Sequence, residues 1–455
     1  MPEVSPNVFL RIGSHSEKEY IEKLVKYFDG IIVGANLLEA SEGATSSLLL
    51  KLHDESNCRY FIDPMTYAYG QYVDPDTQAV RSDLDWIKSD QKVRGGKKGE
   101  IVRNFKSSYK KLADKLGPPF STALERNQAL GPADFGNEQF LQNSCGSILN
   151  YQANRLRQVF ESDPEMAEYV DDLPRPAALF APYFYIEESR AEEWIELNRR
   201  LSLAAAASND YGSPLHLIIC SHRNVLTDKR LSAIVIQNIK DSHAAGVWLW
   251  FSQFDEHSAA PDELAALRSW VEQLSPVLSV YNMHGSFFSL ALSKFGMSGI
   301  AHGVGYGEQK DVVPIIGQST PTVQYYVRQL HAKYSVVQIT RCFSTLGVKT
   351  PADFYKQICD CVMCQGIVKE DLSGFSQFGD IYKSRPDSKR LSQTPAAAKR
   401  CRFHFLLNRI KERQFVRNSP LGTIVADAKE ASKTWSRSVV APFAGHLRMW
   451  SDVLE

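Results

Sequence analysis

Short apolar runs alternate with longer stretches in which apolar positions recur at helical spacing, and the alternation begins at the start of the chain. Val8–Gly13 predicts a strand, Glu17–Tyr27 a helix with Tyr20, Ile21, Leu24 and Val25 on one face, and Gly30–Gly34 a second strand. Thr45–Leu52 predicts another helix, and Tyr60–Pro64 a third strand stopped by its proline. This βαβαβ order favours a parallel sheet. From Gln71 to about Ala153 the chain turns polar and helix-prone, which marks an insertion. Strand-like runs then resume at Ala177–Ala181, Leu215–Cys220, Gly246–Phe251, Val277–Tyr281 and Gly299–Gly303. Near-continuous apolar strands separated by helices, eight in all, predict an α/β fold: a (β/α)8 TIM barrel with a helical insertion, ahead of an open doubly wound sheet. Beyond Gly303 the pattern predicts helices over Thr322–Tyr334, Ala352–Ile358 and His404–Gln414, a loop over Ser373–Lys399 and a helical tail over Asp427–Leu454. No internal repeat is present.

The 455 residues and 44% hydrophobic content suffice for a large core and exclude disorder, collagen and coiled coil as descriptions of the whole chain. No run approaches the roughly 18 consecutive apolar residues of a membrane span, and Met1–Asn7 lacks the basic-then-apolar order of a signal peptide. A cytoplasmic protein with no membrane partner is expected, and there the eight cysteines stay reduced. Lys+Arg 52 balances Asp+Glu 52, which by itself argues against nucleic acid. The balance hides two basic segments. Gln91–Lys115 carries nine Lys and Arg against Glu100 and Asp114, and Lys383–Arg417 carries eleven against Asp387 and Glu412. Two such runs beside a barrel are compatible with a groove for a phosphate backbone.

Cys359, Cys361 and Cys364 stand at Cys-x-Cys-x-x-Cys spacing, which lets three thiolates converge on one tetrahedral ion. Zn2+ is the natural occupant, with His404 as fourth ligand at the start of a helix, or Cys401 in its place. Four protein ligands make such a zinc structural, with no open position for water. The expected organisation is therefore a barrel at 1–310 with a basic helical insertion at about 71–153, a zinc-binding subdomain at 311–420, and a helical tail at 421–455.

In a parallel barrel the chemistry sits at the C-terminal strand ends. Asp63 ends the third strand, and Asp255 and Glu256 follow the sixth. The remaining ends offer Ser221 and His222, Asn282 and His284, and His302 with Tyr306 and Glu308. Two carboxylates converging over a mouth suit reaction at a sugar anomeric carbon. Gly303-Val304-Gly305-Tyr306-Gly307 lacks the spacing of a nucleotide fingerprint; its glycines allow either close approach to a base or sugar phosphate, or a plain turn.

These residues resemble the tRNA-guanine transglycosylase superfamily: Cys359, Cys361, Cys364 and His404-Phe405-Leu406-Leu407-Asn408 in the zinc region, Phe9–Gly13 and Gly34-Ala35-Asn36 in the barrel, and Asp63 at the end of strand three. The resemblance implies that Asp63 serves proton transfer to the exchanged base. The chain departs from the family where Met65-Thr66-Tyr67-Ala68 replaces Gly-Gly-Phe-Gln, where Phe180-Ala181-Pro182-Tyr183 replaces Phe-Asp-Glu-Cys, and where strand eight offers Ala301 and His302 in place of the nucleophilic aspartate. Either Asp255 has become the nucleophile, with Glu308 next, or the chain is no longer an enzyme. Altered base-reading motifs with the zinc ligands kept are similar to the bacterial DNA branch, which installs 7-deazaguanine derivatives such as preQ0 in DNA. That resemblance implies DNA as substrate, flipped or single stranded, base exchange with net retention, and an ATPase partner protein. Tyr67, Tyr69, Tyr183 and Phe254 are candidates to sandwich the base, and Ser221, His284, His302 and Glu308 to bind substrate. The alternatives are a tRNA-guanine transglycosylase and a catalytically silent nucleic-acid-binding subunit.

Overall fold

The computed structural model describes residues 5–70, 85–86, 104–126, 128–312, 322–383, 391–436 and 444–455. Eight parallel strands form one nearly closed barrel: β1 (Asn7–Ile12), β2 (Gly30–Gly34), β3 (Arg59–Asp63), β4 (Leu179–Phe180), β5 (Leu215–His222), β6 (Gly246–Ser252), β7 (Ser279–Asn282) and β8 (Met297–Gly303). The hydrogen-bonded order runs β3-β2-β1-β8-β7-β6-β5-β4, so all eight predicted strands are present. The ring meets between β3 and β4, where the Ala177 amide donates to the Tyr60 carbonyl at 2.9 Å.

Register decides which side chains fill the interior. Phe9 lies opposite Gly30 and Ala301, and Arg11 opposite Ile32 and Gly303, so the odd positions of β1 share the inward face with these residues. Phe9, Phe61, Phe180, His216, Trp248 and Tyr281 form an aromatic layer that plugs the barrel, with Trp248 and Tyr281 stacked at 4.4 Å. Trp248 Nε1 donates to His216 Nδ1 at 3.1 Å, and burial pushes that imidazole down to about 4. Above this plug the next inward layer carries Arg11 and Asp63, and it opens at the C-terminal mouth.

Of the insertion, the helices Ser107–Leu116, Phe120–Glu125 and Glu138–Glu161 are described; they pack on one another and on the helices that follow β2 and β4, and Glu138–Glu161 also touches β4. Asn137 caps the longest by accepting from Phe140 N at 3.2 Å. Most of the first basic segment, Gln91 to Arg103, and residues 384–390 of the second lie outside the described residues.

The C-terminal region departs from expectation in three places. Thr322–Tyr334 is not a helix: Tyr325–Val327 and Ala332–Tyr334 form an antiparallel ribbon, turned at His331 with φ +49°. The aromatic and branched residues of Val323-Gln324-Tyr325-Tyr326-Val327 favour such pairing. Ser373–Lys399 is not a loop, since it holds a short helix Leu372–Gly379 and a second ribbon, Ile381–Lys383 with Leu391–Gln393. Finally, His404 stands in the middle of a helix that runs Pro395–Asn418, begun by Thr394 accepting from Ala397 N and by proline in the first turn. Helices Leu421–Trp435 and Gly445–Leu454 complete the chain and pack on each other. No described helix is long and apolar enough to cross a membrane.

Candidate functional site

The C-terminal region brings Cys359, Cys361, Cys364 and His404 together, all buried, with their ligand atoms within 4.8 Å of one another. His404 Nδ1 lies 3.4 Å from Cys361 Sγ and 3.3 Å from Cys364 Sγ. Around a tetrahedral ion with the usual Zn–S and Zn–N lengths these edges measure about 3.5 Å, so the donor set fits a metal. The histidine is fixed for this role: its Nε2–H donates to the Tyr326 carbonyl at 2.7 Å, leaving Nδ1 to face the thiols, and the Tyr325 ring stacks on it at 3.9 Å. Cys361 starts the helix Val362–Val368 and accepts from Cys364 N, which folds the three thiols onto one side. Cys401 is not part of the cluster; its thiol donates to the Phe378 carbonyl. The four residues can bind a metal ion.

A buried ion cluster joins this region to the barrel. Arg409, on the same helix as His404, pairs with Glu308 and with Glu412, while Lys333 takes the other oxygen of Glu308. Tyr326 Oη and His331 Nδ1 both bond Glu412 Oε1, at 2.7 and 2.6 Å. Burial alone would raise the Glu308 carboxyl, but Lys333 and Arg409 overcome it and hold it down at about 2. Glu308, proposed from sequence as a substrate ligand or reserve nucleophile, is thus a structural anchor. It holds the loop that follows β8.

That loop crosses the mouth. The Lys310 carbonyl accepts from Trp250 Nε1 at 2.7 Å, and Val312 N donates to Ser252 Oγ at 3.0 Å, tying it to the end of β6. Gly303 and Gly307 fold on each other: a Cβ on Gly303 would meet the Tyr306 carbonyl at 2.4 Å, and Gly307 has φ +88°. The glycine run is a tight turn.

Beneath the loop is a cleft of roughly 390 Å³, walled by Arg11, Lys106 and Lys310 with Glu17, Asn36, Met65, Tyr109, His284 and Tyr306. Asp63 sits behind Arg11 and Met65, fully buried. Its Oδ2 pairs with Arg11 Nη2 at 3.2 Å, and its Oδ1 accepts from Met65 N at 3.0 Å and Tyr183 Oη at 2.8 Å. Tyr67 stacks on Tyr183 at 5.6 Å, and Lys310 Nζ donates to Tyr67 Oη at 3.0 Å while lying over the Tyr67 and Trp250 rings. Tyr67 and Tyr183 therefore reach the Asp63 site, but in contact with each other, with no slot for a base between them. Tyr69 packs on Tyr109 and Phe120, and Phe254 on Phe251.

His284 lines the cleft, with Nδ1 3.0 Å from the Gly307 carbonyl. Burial first, then Arg11 and Lys310, push its imidazole well below the usual range. Ser221 and His302 do not join it. Ser221 pairs with Phe251, whose ring packs on Trp270 outside the barrel, and His302 pairs with Leu10, between inward Phe9 and Arg11. Both face the helical layer, one residue out of phase with the mouth. His302 lies between Phe28 and Phe405, and burial pushes it down to about 3.

Asp255 and Asp63 share no partner, and Asp255 is not a wall of the cleft. Asp255 instead closes its own turn, accepting from His257 N at 3.1 Å, His257 Nδ1 at 3.2 Å and Ser258 Oγ at 3.3 Å. Burial would raise its carboxyl, but His257 holds it below the usual value. Glu256 caps the helix Phe287–Ala291 through Ser286 N and Ser289 N. The expected convergence of two strand-end carboxylates is not found: Asp63 lies behind the cleft, and the carboxylate on the cleft wall is Glu17. Glu17 spends one oxygen, Oε2, on Gly13 N and Ser14 N, and burial raises its carboxyl. Sequence reasoning missed Glu17, Arg11 and Lys310; the inward parity that Phe9 sets for Arg11 is the signal that finds the second. Neither a family model nor a curated protein matches this chain.

Proposed function

We propose that the protein is a DNA-guanine transglycosylase that exchanges guanine for a 7-deazaguanine base such as preQ0. The observation that carries this reading is Asp63: a carboxylate at the end of β3, set behind a cleft whose walls bear three cations, in a chain that also assembles a Cys3His cluster. Zn2+ is the ion proposed for that cluster, in a structural role. Lys106 and Lys310 bind the backbone phosphates of a flipped nucleotide, and a phosphate competing for Arg11 uncovers Asp63. The Asp63 carboxylate then attacks C1′ and the bond from C1′ to guanine breaks. Glu17, on the cleft wall with a carboxyl that burial raises, is the group proposed to protonate the departing base. The incoming 7-deazaguanine returns a proton to Glu17 and attacks the same carbon, displacing Asp63, so that two inversions give net retention.

Incorporation of labelled guanine or preQ0 into DNA and into tRNA, with and without an ATPase partner, tests this. Exchange into DNA is expected; exchange into tRNA alone would favour the tRNA enzyme. One observation favours a second reading. Asp63 is neutralised by Arg11, and Asp255 lies in its own turn, as suits a silent nucleic-acid-binding subunit. DNA binding without exchange under every condition is its signature.

A further inference from the structure

We infer that His284 Nε2 is the hydrogen-bond acceptor that reads the N–H of a lactam edge, a ring N–H next to a carbonyl, on a planar base in the cleft. The inference rests on the base-exchange reading, since it places the exchanged base there.

The geometry fixes which ring nitrogen does what. A carbonyl only accepts, so the contact from Nδ1 to the Gly307 oxygen puts the ring proton on Nδ1. Arg11 and Lys310 oppose a second proton, so Nε2 keeps a lone pair. That atom is buried and has no hydrogen-bond partner among the described residues, on a residue that is itself 8% exposed and lines the cleft. Buried acceptors are nearly always satisfied in folded proteins, and one left unmet at a cleft wall is a place for a ligand donor. The Nδ1 contact to the Gly307 carbonyl orients the ring, and two further contacts place the residue. Its backbone N–H is held by Asn282 Oδ1 at 3.1 Å, and Trp250 meets it edge-on at 5.0 Å.

The neighbours define the rest of the ligand. Arg11 and Lys310 flank the histidine and only donate, so the group beside the ligand's N–H must accept from a cation. A carbonyl oxygen does this; it is the contact Arg and Lys make with the guanine O6. A phosphate diester offers no donor to Nε2. Adenine offers no carbonyl to the cations. Guanine, 7-deazaguanines and uracil share the lactam edge.

Calorimetric titration of the full-length protein with guanine, 1-methylguanine, adenine and uracil tests the inference. Guanine is expected to bind roughly 10- to 100-fold tighter than 1-methylguanine, whose methyl replaces the donated hydrogen. In His284→Phe the two should bind alike, both at the weaker level. Equal binding of guanine and 1-methylguanine to the unaltered protein, a comparison that needs no variant, overturns the inference and leaves base exchange standing. Adenine bound as well as guanine overturns it too. Uracil preferred over guanine keeps the lactam acceptor and sinks the guanine reading, and no binding of any base sinks the inference while exchange into DNA is judged separately.

Discussion

The seam between barrel and C-terminal region and the mouth of the barrel are both dense in charge, yet they are built on opposite principles. In the seam Glu308 meets Arg409 and Lys333, and Glu412 meets Arg409, His331 and Tyr326, so each buried carboxylate is matched from more than one side. At the mouth Arg11, Lys106, Lys310 and Glu17 line one open cleft, Asp63 is held behind it by Arg11, and the Nε2 atom of His284 has no partner among the described residues. Matched charges hold two parts of a chain together, whereas the mouth keeps an acceptor without a partner among the described residues on a cleft wall. Glu308 is held by two cations of the C-terminal region, whereas Asp63 is held by one cation of the barrel with Met65 N and Tyr183 Oη, although both follow strand ends.

The comparison breaks most visibly at the metal cluster. Cys361→Ser should lose the ion and leave the C-terminal region unfolded, because metal binding supplies on the order of 10 kcal/mol to such sites. Full metal content by elemental analysis, with unchanged circular dichroism, would falsify the ligand set. Next in size is the mouth. Asp63→Ala should reduce base exchange by roughly 10⁴-fold or more while the fold survives; retained exchange would move the chemistry elsewhere. Arg409→Met then tests the seam. It takes one cation from each of two buried carboxylates, leaving Glu308 with Lys333 and Glu412 with His331 and Tyr326, and urea denaturation should show a loss of about 3 kcal/mol, where a neutral result would mean the seam does not need its charge.

Acidification sharpens the contrast on a smaller scale. His216 and His302 are buried neutral, with values near about 4 and about 3. Below about pH 6.5 the unfolded chain takes up protons that the folded chain refuses, so each should cost up to ~1.4 kcal/mol per pH unit until its folded value is reached. His257 runs the other way. It donates from both ring nitrogens, to Asp255 and to the His331 carbonyl, and although burial would lower its value the Asp255 bond raises it. Its contribution is whole below about pH 6.5 and fades as pH climbs through the folded value. Denaturation midpoints followed with pH should fall on the acid side, and His302→Phe should flatten that limb. Smallest of all, Asp255→Ala should cost about 1 kcal/mol of stability and leave exchange within twofold; a collapse of exchange would return Asp255 to the mouth.

The barrel strands were legible because each is apolar on both faces, and the metal ligands because three of them are local, at a spacing that geometry restricts. The mouth was legible only in part. Asp63, Tyr67, Tyr183 and His284 follow strand ends and do gather there, whereas Ser221 and His302 differ from inward residues by a single position, and nothing local in β5 or β8 states the parity. Arg11 sits inside a strand and Lys310 in a turn, so their shared cleft exists only after the ring closes. The His404 helix starts nine residues earlier than its apolar face suggests, because Thr394-Pro395 is the start signal and the alanines after it carry no periodic pattern.

The ring itself is fastened unevenly. Seven of its junctions are ladders, but between β3 and the two-residue β4 the backbone-to-backbone bond among the described residues runs from the Ala177 amide to the Tyr60 carbonyl, and side-chain bonds from Tyr183 to Asp63 and between Thr66 and Tyr183 close the upper end. A hoop with one backbone clasp has a natural reporter: the deuterium exchange rate of that single amide, compared with amides inside β1, measures how often the wall parts between β3 and β4. A substrate that must be admitted sideways should speed it, and one that enters from above should leave it unchanged.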